Sequence, residues 1–189
     1  MTTSLIILAV IIILCALYVM FAYNKFVTLR NATKEAWSDI EIQLKRRYDL
    51  IPNLINTVKG YMQHESGTLE KVVSARSAAM NSSGQMKEMS QNESALSSTL
   101  KSIFALAENY PDLKANTNFL ELQRELRDTE DKIQASRRFY NGNVLVLNTA
   151  IEQFPSNIVA SMFHVEKKDF FELDVEEKET AKKPVKVEF

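Results

Sequence analysis

His64 and Glu65 are the nearest this chain comes to a pair that could hold a metal or move a proton. Neighbouring residues on a helix point about 100° apart, so these two cannot chelate from one face. The other histidine, His164, sits beside a charged C-terminal segment with no partner at a useful spacing. With 2 histidines and 1 cysteine in 189 residues, imidazole catalysis, a thiolate zinc cluster and an internal disulfide all lack material. Asp112 and Asp128 have no spacing that suggests a working carboxylate pair. The chain contains no GxxxxGK[ST] phosphate loop, GxSxG elbow, HExxH or CxxC. The residues predict no catalytic, metal or cofactor-binding site, no small-molecule substrate and no enzyme.

More can be read from charges that fall on apolar seams. Arg46 and Arg47 flank one such seam, close to Asn53, and Glu65 lies further along it; Glu130 and Arg137 fall on or beside a later one. Long charged side chains at a seam's edge can lie flat with their heads in water. Alternatively, Glu130 or Glu65 pairs with Arg46, Arg47 or Arg137 as a buried polar layer, which adds little net stability but fixes helix register. A third group, Lys25, Arg30 and Lys34, follows directly on an uncharged run. There each basic residue gains up to about 1 kcal/mol beside anionic lipid, although a stop-transfer flank explains them as well.

These residues need long helices to position them, and the composition supplies little else. Gly 4 and Pro 4 are too few for a sandwich, barrel or loop-rich fold. A net charge of −1 argues against nucleic-acid binding. After a short tail, residues 1–4, Leu5 to Tyr23 is 19 residues without a charge. At 1.5 Å per residue it is about 28 Å long, the thickness of a hydrocarbon core. No basic residue precedes it, as a cleaved signal peptide would need. Leu14 stands before Cys15, where a lipoprotein signal wants a small residue. The spacing predicts a transmembrane helix over 5–23, with Cys15 a small apolar residue in it. Basic residues follow the span and none precedes it, which favours the N-terminus outside and the bulk of the chain in the cytoplasm.

Beyond the span, Phe26, Leu29, Trp37, Ile40, Leu44, Tyr48 and Ile51 step by helical spacings, and the seam continues in phase through Ile55, Val58, Met62, Leu69 and Val72. Pro52 predicts a kink there, or a new helix capped by Asp49. Asn81–Gln85 reads as a loop, and Tyr110-Pro111-Asp112 as a turn. A shorter helix carries Leu96, Leu100, Ile103 and Ala107. The last seam runs through Phe119, Leu122, Leu126, Ile133, Tyr140, Val144, Leu147, Ile151 and Phe154, with Asn118 and Glu121 as a capping pair and Pro155 as the stop. Residues 24–165 are thus expected to form one helical bundle domain. In 166–189, 14 of 24 residues are charged, which predicts a mostly disordered tail. The fold class expected is all-α: an N-terminal transmembrane helix continuing into a long, antiparallel, coiled-coil-like bundle.

Specific motifs lie within this pattern. The run from Tyr23 to Glu65, above all QLKRRYDLIPNL, resembles the signature half of the LemA family; YPDLKAN, RRFYN and FPSNIVASMF resemble its second half. The resemblance covers nearly everything except the charged tail. The core motifs show no departure from it, although Asn141-Gly142 sits where relatives more often carry a bulkier helix former. The resemblance implies a bacterial inner-membrane protein with one span, a helical bundle and no established catalytic activity. Some relatives belong to magnetosome membrane formation, which leans the expectation toward organising membranes. The leading expectation is therefore a self-associating, membrane-anchored scaffold, with membrane lipid and copies of itself as partners. The alternative is a tethered adaptor or sensor that recruits an unidentified cytoplasmic protein through the tail, in a signalling or envelope-stress role.

Overall fold

A computed structural model describes residues 2–62, 64–82 and 85–171. The helices are α1 (Thr2–Lys59), α2 (Ser66–Met80), α3 (Met86–Ala107), α4 (Pro111–Lys114), α5 (Thr117–Glu152) and α6 (Ser156–Met162). No strand occurs among the described residues. The chain divides into two compact units, each supplied by parts of α1 and α5. One takes the described residues up to Asp39 with Ser136–Phe170; the other contains Ile40–Ala135.

In the unit containing Ile40–Ala135, Ile51, Leu54, Val58 and Met62 of the α1 region bury against Val72 and Ala79, Leu96 to Ala107, Leu113, Phe119 and Leu126. Most of this set is expected from the periodicity, but Leu54, Ala79 and Leu113 are not, and Ile55, placed on the seam, is only partly buried. Pro52 neither ends nor divides α1. Proline lacks the N–H that would bond to the carbonyl four residues earlier. That carbonyl belongs to Tyr48, and Arg76 Nε donates to it at 2.8 Å instead. The helix therefore passes the proline without leaving its carbonyl unsatisfied. Asp49 caps nothing and pairs with Lys45 at 2.5 Å.

Two boundaries differ from the seam reading. α1 ends at Lys59, and α2 begins only at Ser66, so the in-phase seam hides a break that starts at Gly60. The cap of α5 is Asn116, whose Oδ1 accepts from Phe119 N at 3.0 Å, rather than Asn118. An Asn at this place satisfies an orphan amide of the first turn.

In the other unit, Ala22 and Phe26 of α1 bury with Leu147 and Ala150 of α5 and with Val159 and Ala160 of α6. Trp37 meets Tyr140 edge-on, with ring centroids 5.3 Å apart. α6 ends in a reverse turn: His164 takes a φ of 53°, His164 N bonds to Ser161 O, and Val165 N bonds to Ala160 O at 2.9 Å. That pair of bonds is the usual helix stop built on a left-handed residue, here a histidine where glycine is commonest. Phe154, placed on the apolar seam by its spacing, is instead 80% exposed because α5 ends two residues before it.

The expected tail is only partly within the described residues. Its first stretch lies along α5: Asn148 Nδ2 donates to Lys168 O at 2.9 Å, and its Oδ1 accepts from Lys168 N at 3.0 Å. Tyr140 Oη donates to Asp169 O at 3.0 Å, and Lys167 pairs with Glu152 at 2.6 Å. Residues 172–189 lie outside the described residues.

Candidate functional site: a buried guanidinium between three helices

α1, α3 and α5 meet around Arg47, whose side chain is 1% exposed. An isolated charge there would be costly, and burial is tolerable only with paired, hydrogen-bonded neighbours. Nη2 bonds to Glu93 Oε2, and Nη1 bonds to Glu130 Oε2 at 2.6 Å and to Ser97 Oγ at 2.8 Å. Ser97 also lies 3.2 Å from both Glu130 oxygens, and Tyr48 Oη donates to Glu93 Oε1. Arg47 Nε has no hydrogen-bond partner among the described residues. Glu93 is nearly as buried as the arginine, whereas Glu130 keeps 27% of its side-chain surface.

Of the six residues the sequence nominates for a polar layer, Arg47 and Glu130 meet directly. Arg46 lies beside them on α1 but turns to the surface, pairing with Glu125 and, at 3.5 Å, with Asp128. Asn53 is exposed, and its side chain joins none of these bonds. Glu65 is distant from the arginines in sequence and accepts from Tyr110 Oη at 3.2 Å. Arg137 is buried in the other unit. Lys25, Arg30 and Lys34 lie on α1, and all three are exposed.

Glu93, Ser97 and Tyr48 escaped the sequence reading as members of this layer, although Glu93 carries a usable signal. It stands three residues before Leu96 and seven before Leu100, on the buried face of α3. A charge on a predicted apolar face needs a buried counter-charge, and α1 has an arginine on its own seam.

Local fields follow this geometry. Burial raises the Tyr48 pKa above its ordinary 10.0, partly offset by the positive Arg47 and Arg76 nearby. Burial, with the charge and hydrogen bond of Glu65, raises Tyr110. The Lys132 hydrogen bond, helped by Lys132 and Arg46 charge, lowers Asp128.

The arrangement is suited to fixing helix register rather than to reaction. Both terminal nitrogens of Arg47 are bonded to carboxylates, so no open fork faces a ligand. A groove of about 280 Å³ borders Ser97 and Glu130, lined also by Leu100, Phe104 and Leu126. Among the described residues, no group of three or more His, Cys, Asp or Glu could hold a metal ion. His64 is exposed, and His164 serves the α6 stop.

At the other end of α1, Leu5 to Leu14 are exposed throughout, and the helix is long and apolar enough to cross a membrane. Comparison with known proteins agrees with this architecture. The profile described as the LemA family matches residues 36–189. Protein LemA of Metamycoplasma hominis is 30% identical over 137 residues, covering 72% of this chain and 63% of that protein. Magnetosome protein MamQ of Magnetospirillum gryphiswaldense is 22% identical over 174 residues, covering 79% and 64% respectively. The chain therefore spans a little under two thirds of the length of these relatives.

Proposed function

Because the chain belongs to the LemA family, we propose that it is a non-enzymatic helical scaffold, anchored by α1 in the bacterial inner membrane and self-associating to organise membrane or partner proteins. The N-terminus faces outward, and the helical units lie in the cytoplasm. Similarity to a magnetosome protein supports the membrane-organising part of this reading. The observation that carries self-association is on α5: Phe139 and Val146 are 58% and 51% exposed. Seven residues apart, they lie on one helical face. Gly142 lies between them, and a Cβ there would meet nothing within 4 Å. A large–small–large stripe of this kind lets a second helix approach closely, and lateral packing would remove its apolar area from water.

Light scattering of the full chain in detergent, beside a variant lacking residues 1–22, tests the proposal. Both should run as assemblies, and Phe139→Asn with Val146→Asn should reduce their mass while leaving the helical circular dichroism unchanged. Monomers in both preparations would sink the scaffold and leave recruitment of a cytoplasmic partner by the tail as the reading to pursue.

A further inference from the structure

We propose that the corner joining α5 to α6 is a second membrane-seated element, with Phe154, Ile158 and Met162 entering the boundary between headgroups and acyl chains beside the anchor. The proposal rests on Leu5–Tyr23 crossing the bilayer and not on self-association. Within this unit α5 runs antiparallel to α1, and Tyr140 stands opposite Trp37. Fourteen residues separate Tyr140 from Phe154, and fourteen separate Trp37 from Tyr23, the last residue of the uncharged run. At 1.5 Å per residue the α1 path covers about 21 Å, and α5 covers about 18 Å from Tyr140 to its end at Glu152, so the corner that carries Phe154 arrives near the end of the span.

α6 stays at that level. Its inner face, Val159 and Ala160, is buried with Ala22 and Phe26, and Val19 packs against the same cluster. Val19 lies one turn inside the end of the span, about 6 Å from Tyr23. The Tyr23 and Phe163 rings sit 4.7 Å apart. The outer side of this corner carries Phe154 at 80% exposure, Ile158 at 54% and Met162 at 58%. Such side chains at the height of a lipid surface lose water contact by entering it, as the apolar face of an interfacial helix does.

The polar groups nearby suit the same level. A groove of about 260 Å³ is lined by Tyr23, Phe26, Arg30, Phe163, His164 and Lys168, with Glu166 also on its wall. Aromatic rings beside cations match the headgroup zone, where aromatic residues concentrate and anionic lipid attracts basic side chains. The continuity of this apolar corner with the span identifies lipid, rather than protein, as what covers it.

Nitroxide labels read this directly. The full chain carrying Cys15→Ser and one cysteine, Ile158→Cys, Met162→Cys or Asn31→Cys, would be labelled and reconstituted in phosphatidylethanolamine–phosphatidylglycerol vesicles. All three positions are exposed, so unchanged circular dichroism is expected. Labels at 158 and 162 should be more accessible to oxygen than to a water-soluble nickel chelate, at a depth of about 5–10 Å. The label at 31 should show the reverse. Greater nickel access at 158 and 162 overturns the proposal by placing them in water. Exclusion of both reagents overturns it too, because a protein surface would then cover the corner. Either result leaves the assembly state to be read separately by light scattering.

Discussion

Arg47 shows how one buried charge constrains its surroundings. Removing one partner of a buried pair leaves the other charge uncompensated, at about 3–5 kcal/mol. Glu93 is 4% exposed and Glu130 27%, so the two carboxylates should not be equivalent. Thermal or urea unfolding should show Glu93→Gln losing about 3 kcal/mol and Glu130→Gln clearly less, because water can take up part of the second contact. Equal losses would mean that burial does not set the cost. Tyr48 gives the pH counterpart. Its pKa is raised in the folded state by burial, so its contribution is fully present below pH 10.0 and is lost as pH rises through the folded value. Tyr48→Phe should flatten the alkaline limb of a stability–pH curve, with a residual slope from Tyr110 and Tyr140, which are also raised, each first by burial and then by a neighbouring carboxylate. The sequence made Arg47 and Glu130 visible because both sit on apolar seams. It could not choose between Arg46 and Arg47, since adjacent residues flank one seam equally and only the third helix decides which turns inward.

At the scale of the element, periodicity was informative about faces and weak about ends. The buried positions Ile40, Leu44, Ile51, Val58, Leu96, Leu100, Ile103, Leu126, Ile133, Val144 and Leu147 are those that helical spacing nominates. The break after Lys59 was invisible because the next helix resumes in the same phase, and phase carries no information about a loop between. Pro52 misled in the opposite sense: a residue that usually interrupts a helix is accommodated by a side chain from α2. A double-mutant cycle tests that compensation. Arg76→Ala should cost about 1–2 kcal/mol by orphaning the Tyr48 carbonyl. In a Pro52→Ala background much of that cost should vanish, since this substitution restores an N–H donor along the helix. Purely additive effects would show that Arg76 acts elsewhere.

For the whole molecule, the sequence reached the all-α class, the long apolar N-terminal helix and the family, because each depends on long patterns rather than on single contacts. It did not reveal the division into two compact units, since neither α1 nor α5 is interrupted where the units part. The proposed orientation makes a sharp prediction in spheroplasts of cells expressing Cys15→Ser variants. A membrane-impermeant maleimide should label Thr3→Cys at once and Ala95→Cys, exposed on α3, only after lysis. The reverse pattern would turn the helical units toward the envelope. The hydrogen bonds from Asn148 and Tyr140 to Lys168 and Asp169 act as a clasp on the stretch after α6. The two anchor points on α5, Asn148 and Tyr140, are eight residues or about 12 Å apart along the helix. Such a clasp fastens the segment that leaves α6 to the flank of α5, so lifting Lys168 and Asp169 away would break the bonds to Asn148 and Tyr140 together.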